Sequence, residues 1–230
     1  MSKYGLNANA LKIIALITMT VDHVGYLIYP SVVWLRIIGR LAMPIYAFMI
    51  AEGCRHTRNI GKYLTTVAAT AFFCQVVSFL ATGSLYQCIL VTFSLSIALI
   101  WLVRFAMKQN IFLNILLVLC SIFAVFFLTD MLPVLLPGTD YGVDYGIYGV
   151  LLPAAFYIGK KRWQQLLYGS LILLSYCGSV TWVQYFCFLS LPLLALYNGQ
   201  KGKQNLKWFF YLYYPAHLGI LYLLAPLLQT

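Results

Sequence analysis

Charge is what this chain has least of. Only 9% of its 230 residues are charged, and five are acidic: Asp22, Glu52, Asp130, Asp140 and Asp144. A water-soluble domain carries about 25% charged and roughly 45–50% apolar residues. Here 63% are hydrophobic and the mean hydropathy is +0.87. Such a chain cannot cover its surface with charge, so a soluble domain is excluded. A soluble nucleic-acid binder is excluded with it, despite a net charge of +10. The six cysteines show no CxxC spacing and mostly sit in apolar runs, so they read as small core residues rather than zinc, haem or redox ligands. The first apolar run lacks a small-residue cleavage site and carries Asp22 and His23, so no signal peptide is expected. There is neither an internal repeat nor a low-complexity segment.

What the chain does have is long apolar runs. A bilayer core of about 30 Å takes around 20 residues of helix. Nine candidate spans follow: Leu11–Tyr29, Val33–Gly53, Tyr63–Leu80, Tyr86–Val103, Ile111–Leu128, Tyr145–Ile158, Trp163–Cys177, Val180–Tyr197 and Trp208–Leu228. The cations support that count. Lys3 and Lys12, then Arg55, Arg58 and Lys62, then Arg104 and Lys108, then Lys160, Lys161 and Arg162, then Lys201, Lys203 and Lys207 all fall at alternate loops. The positive-inside rule makes that side cytoplasmic, with the N-terminus in and the C-terminus out. The expected class is an all-α polytopic integral membrane protein of about nine transmembrane helices, forming one domain over residues 1–230. Tyr29, Trp34, Trp163 and Trp208 stand near span ends, where amphipathic rings prefer to sit. The stretch Thr129–Asp144 is too short to span and too apolar for an ordinary loop, which suggests a re-entrant or interfacial segment.

Two cations break the pattern. Arg36 and Arg40 lie inside the second span, one helical turn apart on one face, and Asp22 and His23 lie inside the first. Ionisable groups in the bilayer are expensive and mark functional sites by default. His23 is about 17 Å along the helix from Lys12, and Arg40 is roughly 10 Å below the outer start near Val33. Those depths nearly coincide in a tight antiparallel hairpin, so the four side chains can meet. Adjacent residues 22 and 23 project about 100° apart, however, and cannot share one spot. Asp22 with Arg36 or Arg40 also fits a purely structural ion pair. In the last span, His217 lies about 14 Å from the inner face, at the depth of His23, with Pro215 removing a backbone donor nearby. A hydrogen-bonded packing histidine fits there too. Asp140-Tyr141-Gly142-Val143-Asp144-Tyr145-Gly146 opens a short sixth span, either as cavity-lining backbone or as plain turn chemistry. Glu52-Gly53-Cys54-Arg55-His56-Thr57-Arg58-Asn59 on the inner side reads as a phosphate grip or as a solvated loop.

Several of these motifs resemble the TraX family of bacterial membrane proteins, named for the N-acetylase of conjugative pilin. They are Leu11-Lys12-Ile13-Ile14-Ala15 with Asp22-His23-Val24-Gly25; Leu35-Arg36-Ile37-Ile38-Gly39-Arg40-Leu41-Ala42-Met43-Pro44-Ile45-Tyr46-Ala47-Phe48; Ala51-Glu52-Gly53 with Arg55-His56-Thr57-Arg58-Asn59; Asp144-Tyr145-Gly146-Ile147-Tyr148-Gly149; Leu196-Tyr197-Asn198-Gly199; and Tyr213-Tyr214-Pro215-Ala216-His217-Leu218. They occur in order over most of the chain. Lys12 and His23 also resemble the basic-x10-His pattern of transmembrane acyltransferases that acetylate surface sugars.

The resemblance implies a membrane-embedded acetyltransferase of the bacterial inner membrane. It would move acetyl from cytoplasmic acetyl-CoA to an extracytoplasmic acceptor, a peptide or pilin N-terminal amine or a glycan hydroxyl or amine. His23 is then the expected base or acyl carrier, oriented by Asp22, with Arg40 and His217 completing the catalytic set. Arg36, Asp144, Tyr145 and Glu52 are expected at the substrate. Lys12, Arg55, His56, Arg58 and Lys62 are expected at the anionic CoA head, with no metal. The competing expectation is a small proton-coupled transporter using the same buried charges.

Overall fold

In the computed structural model of the chain, residues 5–204 and 206–228 are described; Lys3, one of the inner charges counted above, lies outside them. Regular structure among the described residues is helical: α1 (Ala8–Leu27), α2 (Val33–Gly39), α3 (Ala42–His56), α4 (Ile60–Thr82), α5 (Ile89–Ala106), α6 (Ile111–Phe126), a π-turn (Phe127–Met131), α7 (Leu132–Leu135), α8 (Gly146–Ile158), α9 (Arg162–Gly178), a 3-10 helix (Trp182–Leu189), α10 (Ser190–Ala195) and α11 (Lys207–Leu228). Only isolated bridges, such as Gln87 with Val143, interrupt this among the described residues. Among the described residues, five helical stretches are long and apolar enough to cross a membrane: Ala8–Leu27, Val33–His56, Ile60–Thr82, Ile89–Ala106 and Ile111–Leu135.

Asparagines start three of them. Asn7, Asn59 and Asn110 accept the backbone N–H of Ala10, Lys62 and Leu113, each at 2.9 Å, which pairs donors a helix start leaves open. Gly83, at φ 70°, ends α4 in the left-handed conformation that glycine takes without a Cβ penalty.

Three expected segments differ in detail. The second span is not one straight helix but breaks at Arg40–Leu41, between α2 and α3. Pro44 has no N–H for the carbonyl of Arg40 and its ring crowds that carbonyl. The fifth helix does not end at Leu128. It widens into the π-turn, where Leu132 N–H reaches Phe127 O, and continues as α7 through Pro133. Met131–Leu135 therefore belongs to a helix, not to a re-entrant loop, and the irregular segment shrinks to residues 136–145. The eighth run, Val180–Tyr197, winds first as a 3-10 helix and then as α10.

The chain forms two compact units, Met1–Met49 with Gly159–Thr230, and Ile50–Ile158. The second packs α5 against α8. Ser96, fully buried, donates to Val150 O at 2.9 Å, and Thr92 Oγ1 donates to Asp144 O at 2.8 Å. Gly149 makes that approach possible, because a Cβ there would lie 2.8 Å from Thr92 Cγ2 and 2.7 Å from Tyr145 Cβ. The loop before α8 is tied to the turn before α5 by Gln87 N–H to Gly142 O (2.7 Å) and Asp144 N–H to Gln87 O (3.1 Å). Asp140 adds to this tie. The Ser84 hydroxyl and the Leu85 N–H hold its carboxyl below the usual carboxylate range. That contribution is complete above the unfolded pKa and is lost as pH falls through the lower folded value.

Gly149→Val is expected to destabilise this unit by about 1–3 kcal/mol, as over-packed cores do. Thermal melting in detergent checks it; a wild-type melting temperature would deny the close α5–α8 approach.

Candidate functional site

The first unit holds Asp22, His23, Arg36, Arg40 and His217. Asp22 and His23 sit late on α1 and point to different neighbours, as a 100° step requires. Asp22 turns to α2. Its Oδ2 accepts from Arg36 Nη1 at 2.8 Å, and its Oδ1 pairs with Arg40 Nη2. Arg36 Nη1 also reaches the Asp22 carbonyl at 3.1 Å. The arginines bind one carboxylate together because they are four residues apart on one helical face. Gly39 leaves the room, since a Cβ there would collide with the Asp22 carboxylate.

Arg40 is 6% exposed and has every side of its guanidinium engaged: Nε donates to Arg36 O (3.1 Å) and Nη1 to Gln184 Oε1 on the 3-10 helix (3.2 Å). Arg36 is more open. It lies over the Tyr26 ring at 5.2 Å, and its Nε and Nη2 donate no hydrogen bond among the described residues. Two guanidiniums against one carboxylate leave one surplus positive charge.

His23 turns instead to α11. Its Nδ1 lies 2.8 Å from Nε2 of His217. The ring centroids are 5.0 Å apart at 19°, the geometry of an edge-to-edge N–H···N bond between nearly coplanar rings. His217 is buried, and its Nδ1 lies 2.9 Å from Tyr213 O, one turn back. Tyr213 also stacks on His217 at 5.2 Å and 13°, while Tyr214 meets it edge-on. The Tyr213 hydroxyl is 2.8 Å from Thr20 Oγ1. Asp22 and His23 share no hydrogen bond among the described residues, so the expected orienting of His23 by Asp22 is replaced by a bond to His217. Eleven residues are three helical turns, so Lys12 shares the α1 face of His23. Its Nζ sits 5.5 Å over the Phe210 ring of the same α11.

The other candidates lie in the second unit. Glu52 is buried against Arg55 Nε (3.5 Å) and His56 Nε2 (3.4 Å). Arg55 Nη2 takes the carbonyls of Phe156 (3.0 Å) and Tyr157 (2.9 Å), closing the C-terminal end of α8. His56, Arg58 and Lys62 are exposed around the α3–α4 turn. Asp144 is engaged through its carbonyl by Thr92 and through Oδ1 by the Tyr86 hydroxyl at 3.4 Å. Tyr145 (φ 62°) and Gly146 (φ 52°) make a left-handed turn into α8, whose Ile147 N–H donates to Asp130 Oδ2 at 3.0 Å. The Asp-Tyr-Gly motif thus has a structural use as the start of α8. Among the described residues no group of three His, Cys, Asp or Glu could hold a metal ion.

Sequence reasoning missed Gln184, Tyr213 and Thr20. Each left a signal: Gln184 is a lone amide in an apolar run, Tyr213 precedes His217 by one turn, and Thr20 precedes His23 by three residues.

Comparison with known proteins gives a consistent picture. The family described as "TraX protein" matches residues 7–225. The chain is 29% identical to the "Probable fimbrial assembly protein FimC, serogroup H1" of Dichelobacter nodosus, over 94% of each chain. It is 53% identical to a Rickettsia prowazekii protein over 38 residues, which is 16% of this chain and 15% of that one. No solved structure matches.

Removing one member of a buried ion pair leaves the other charge uncompensated, at a cost of about 3–5 kcal/mol. Asp22→Asn is therefore expected to lower the melting temperature of the detergent-solubilised protein sharply, and Gly39→Ala to do the same by displacing Asp22. If both variants melt with the wild type, the clamp does not hold α1 to α2.

Proposed function

This chain belongs to the TraX family, and from that premise we propose that it is a membrane-embedded acetyltransferase of the bacterial cytoplasmic (inner) membrane. The observation that carries the reading is the His23–His217 bond beside the surplus positive charge of Arg36 and Arg40. Acyl transfer needs a base for the acceptor's proton and donors for the oxyanion. His23 supplies the first. The open Nε and Nη2 of Arg36 suit the second, and Arg40 stays committed to Asp22 and Gln184.

Acetyl-CoA is the co-substrate in this reading. The acceptor's nitrogen or oxygen bonds to the acyl carbon while its proton passes to His23. The carbonyl becomes an oxyanion beside Arg36. On collapse the carbon–sulfur bond breaks and the thiolate leaves with the proton from His23. Lys12, on the α1 face of His23, is the proposed grip for the anionic nucleotide end. The acceptor is an amine or hydroxyl of an extracytoplasmic peptide or glycan. A relative described as a fimbrial assembly protein favours a surface polypeptide.

The reading includes nine spans, N-terminus in and C-terminus out. Helix lengths support it. At about 1.5 Å per residue α9 extends roughly 26 Å and α11 roughly 33 Å. The 3-10 helix at about 2.0 Å per residue, followed by α10, adds up to roughly 25 Å. α8, at roughly 20 Å, is short and needs the loop before it to complete the crossing.

His23→Ala is expected to lower transfer from labelled acetyl-CoA by about 10²–10⁴-fold in nanodiscs. Mass spectrometry of surface peptides and glycans, with and without the gene, is expected to differ by one acetyl group. Undiminished transfer by the His23→Ala protein would remove the base from this reading. Reporters inserted after Gly199 and at the C-terminus are expected to score inside and outside respectively; both on one side would deny the ninth crossing.

A further inference from the structure

The hydrogen bonds around the two rings fix where their protons are. A carbonyl oxygen only accepts, so the 2.9 Å contact between His217 Nδ1 and Tyr213 O requires a proton on that Nδ1. A neutral imidazole carries one N–H, so Nε2 of His217 is then an acceptor. The nitrogen 2.8 Å away, Nδ1 of His23, must supply the proton of that bond. Nε2 of His23 is left as a bare lone pair, with no hydrogen bond among the described residues. Both rings are uncharged at rest, because Arg36 and Arg40 already exceed Asp22 by one charge in an apolar setting, where a third cation is opposed.

We infer that His217 is a positioning residue: with its own tautomer set by the Tyr213 carbonyl, it holds His23 as the Nδ1–H form and makes Nε2 of His23 the nitrogen that takes a substrate proton. The ring of His217 never meets the substrate. When Nε2 of His23 gains the acceptor's proton, His23 becomes a cation whose Nδ1–H still donates to Nε2 of His217. The lone pair of His217 then faces a charged donor, and the bond strengthens as charge develops. On collapse of the intermediate the same Nε2–H is returned to the leaving thiolate, so the pair ends as it began. The direction of the relay rests on the Tyr213 carbonyl and on the neutrality of both rings, while the use made of Nε2 rests on the acyl-transfer reading.

The chain has three histidines, so ring-¹⁵N spectra of the histidine-labelled protein in nanodiscs are simple. A His56→Gln form removes the one exposed ring and leaves the two at issue. Both are expected as neutral Nδ1–H tautomers, each with a pyridine-like Nε2. A neutral Nε2–H form of either ring, or a doubly protonated one, overturns the inference. This spectrum is taken without substrate and on the protein as it folds, so it does not depend on turnover.

Kinetics then separates positioning from packing. His217→Ala is expected to lower kcat at least tenfold with little change in KM for acetyl-CoA, and to release His23 into a tautomer mixture. His217→Gln, whose amide oxygen can accept from His23 Nδ1, is expected to restore the Nδ1–H signal and much of kcat. Equal loss in both variants, with His23 still in the Nδ1–H form, overturns the positioning role. If the spectra are as expected but His23→Ala transfers acetyl undiminished, the tautomer relay stands and the acyl-transfer reading fails.

Discussion

A carboxylate held between two guanidiniums sets the terms for the rest of the first unit. Burying an ion without a partner costs several kcal/mol, and the cost is met only when its oxygens or protons are all engaged. Asp22 gives one oxygen to each arginine, and Arg40 spends its remaining donors on Arg36 O and Gln184. The clamp fixes three elements at once: α1 by Asp22, α2 by the arginines and the 3-10 helix by Gln184. It requires Gly39, where any side chain would stand in the carboxylate's place. With α1 oriented by Asp22, the next residue is turned about 100° away and delivered to α11. The histidine pair is therefore a consequence of the arginine clamp.

Much of this was legible in the sequence, for a physical reason. Lipid tolerates so few charges that each one left in a span has to be used. Asp22, His23, Arg36, Arg40 and His217 stood out on that ground alone, and the depth estimate placed His217 level with His23. The partners were harder to read. Whether Asp22 served His23 or the arginines depended on a rotation about α1 that spacing restricts but does not decide. Gln184 came from a segment with no regular α-period, because it winds as a 3-10 helix. The apolar stretch after Leu128 misled for a related reason: too apolar for a loop and too short to span by itself, it is the continuation of the preceding helix through a π-turn. The Asp-Tyr-Gly motif and Arg55 carried helix-end chemistry, which composition cannot separate from ligand chemistry. Turn and ligand both call for carboxylates, glycines and cations.

Two prolines of the first unit stand close in sequence to its ionisable side chains. Pro44 removes the N–H that would reach the carbonyl of Arg40, and α2 gives way to α3 there. Pro215 removes the N–H that would reach Tyr211, two residues before His217, within a helix that continues to Leu228. In lipid such gaps are tolerated only beside groups that can repair them. Both occur where polar side chains gather. The first proline coincides with a helix break, while α11 runs through the second unbroken.

The same geometry bears on the choice between the proposed acyl transfer and proton-coupled transport. A carrier needs an ionisable group that is free to take a proton on one side and surrender it on the other, with its environment changing in between. Asp22 is the single carboxylate among the intramembrane ionisable groups of the first unit, and both its oxygens are committed to arginines whose charges its protonation would leave uncompensated. The group with an uncommitted lone pair is His23, and it is tied through His217 to a backbone carbonyl, which can neither donate nor pass a proton onward. A proton arriving at His23 has no onward path through that chain and must leave by the nitrogen at which it came. The proposed acyl transfer asks the same of its base, which takes a proton from one partner and returns it to another within a single site.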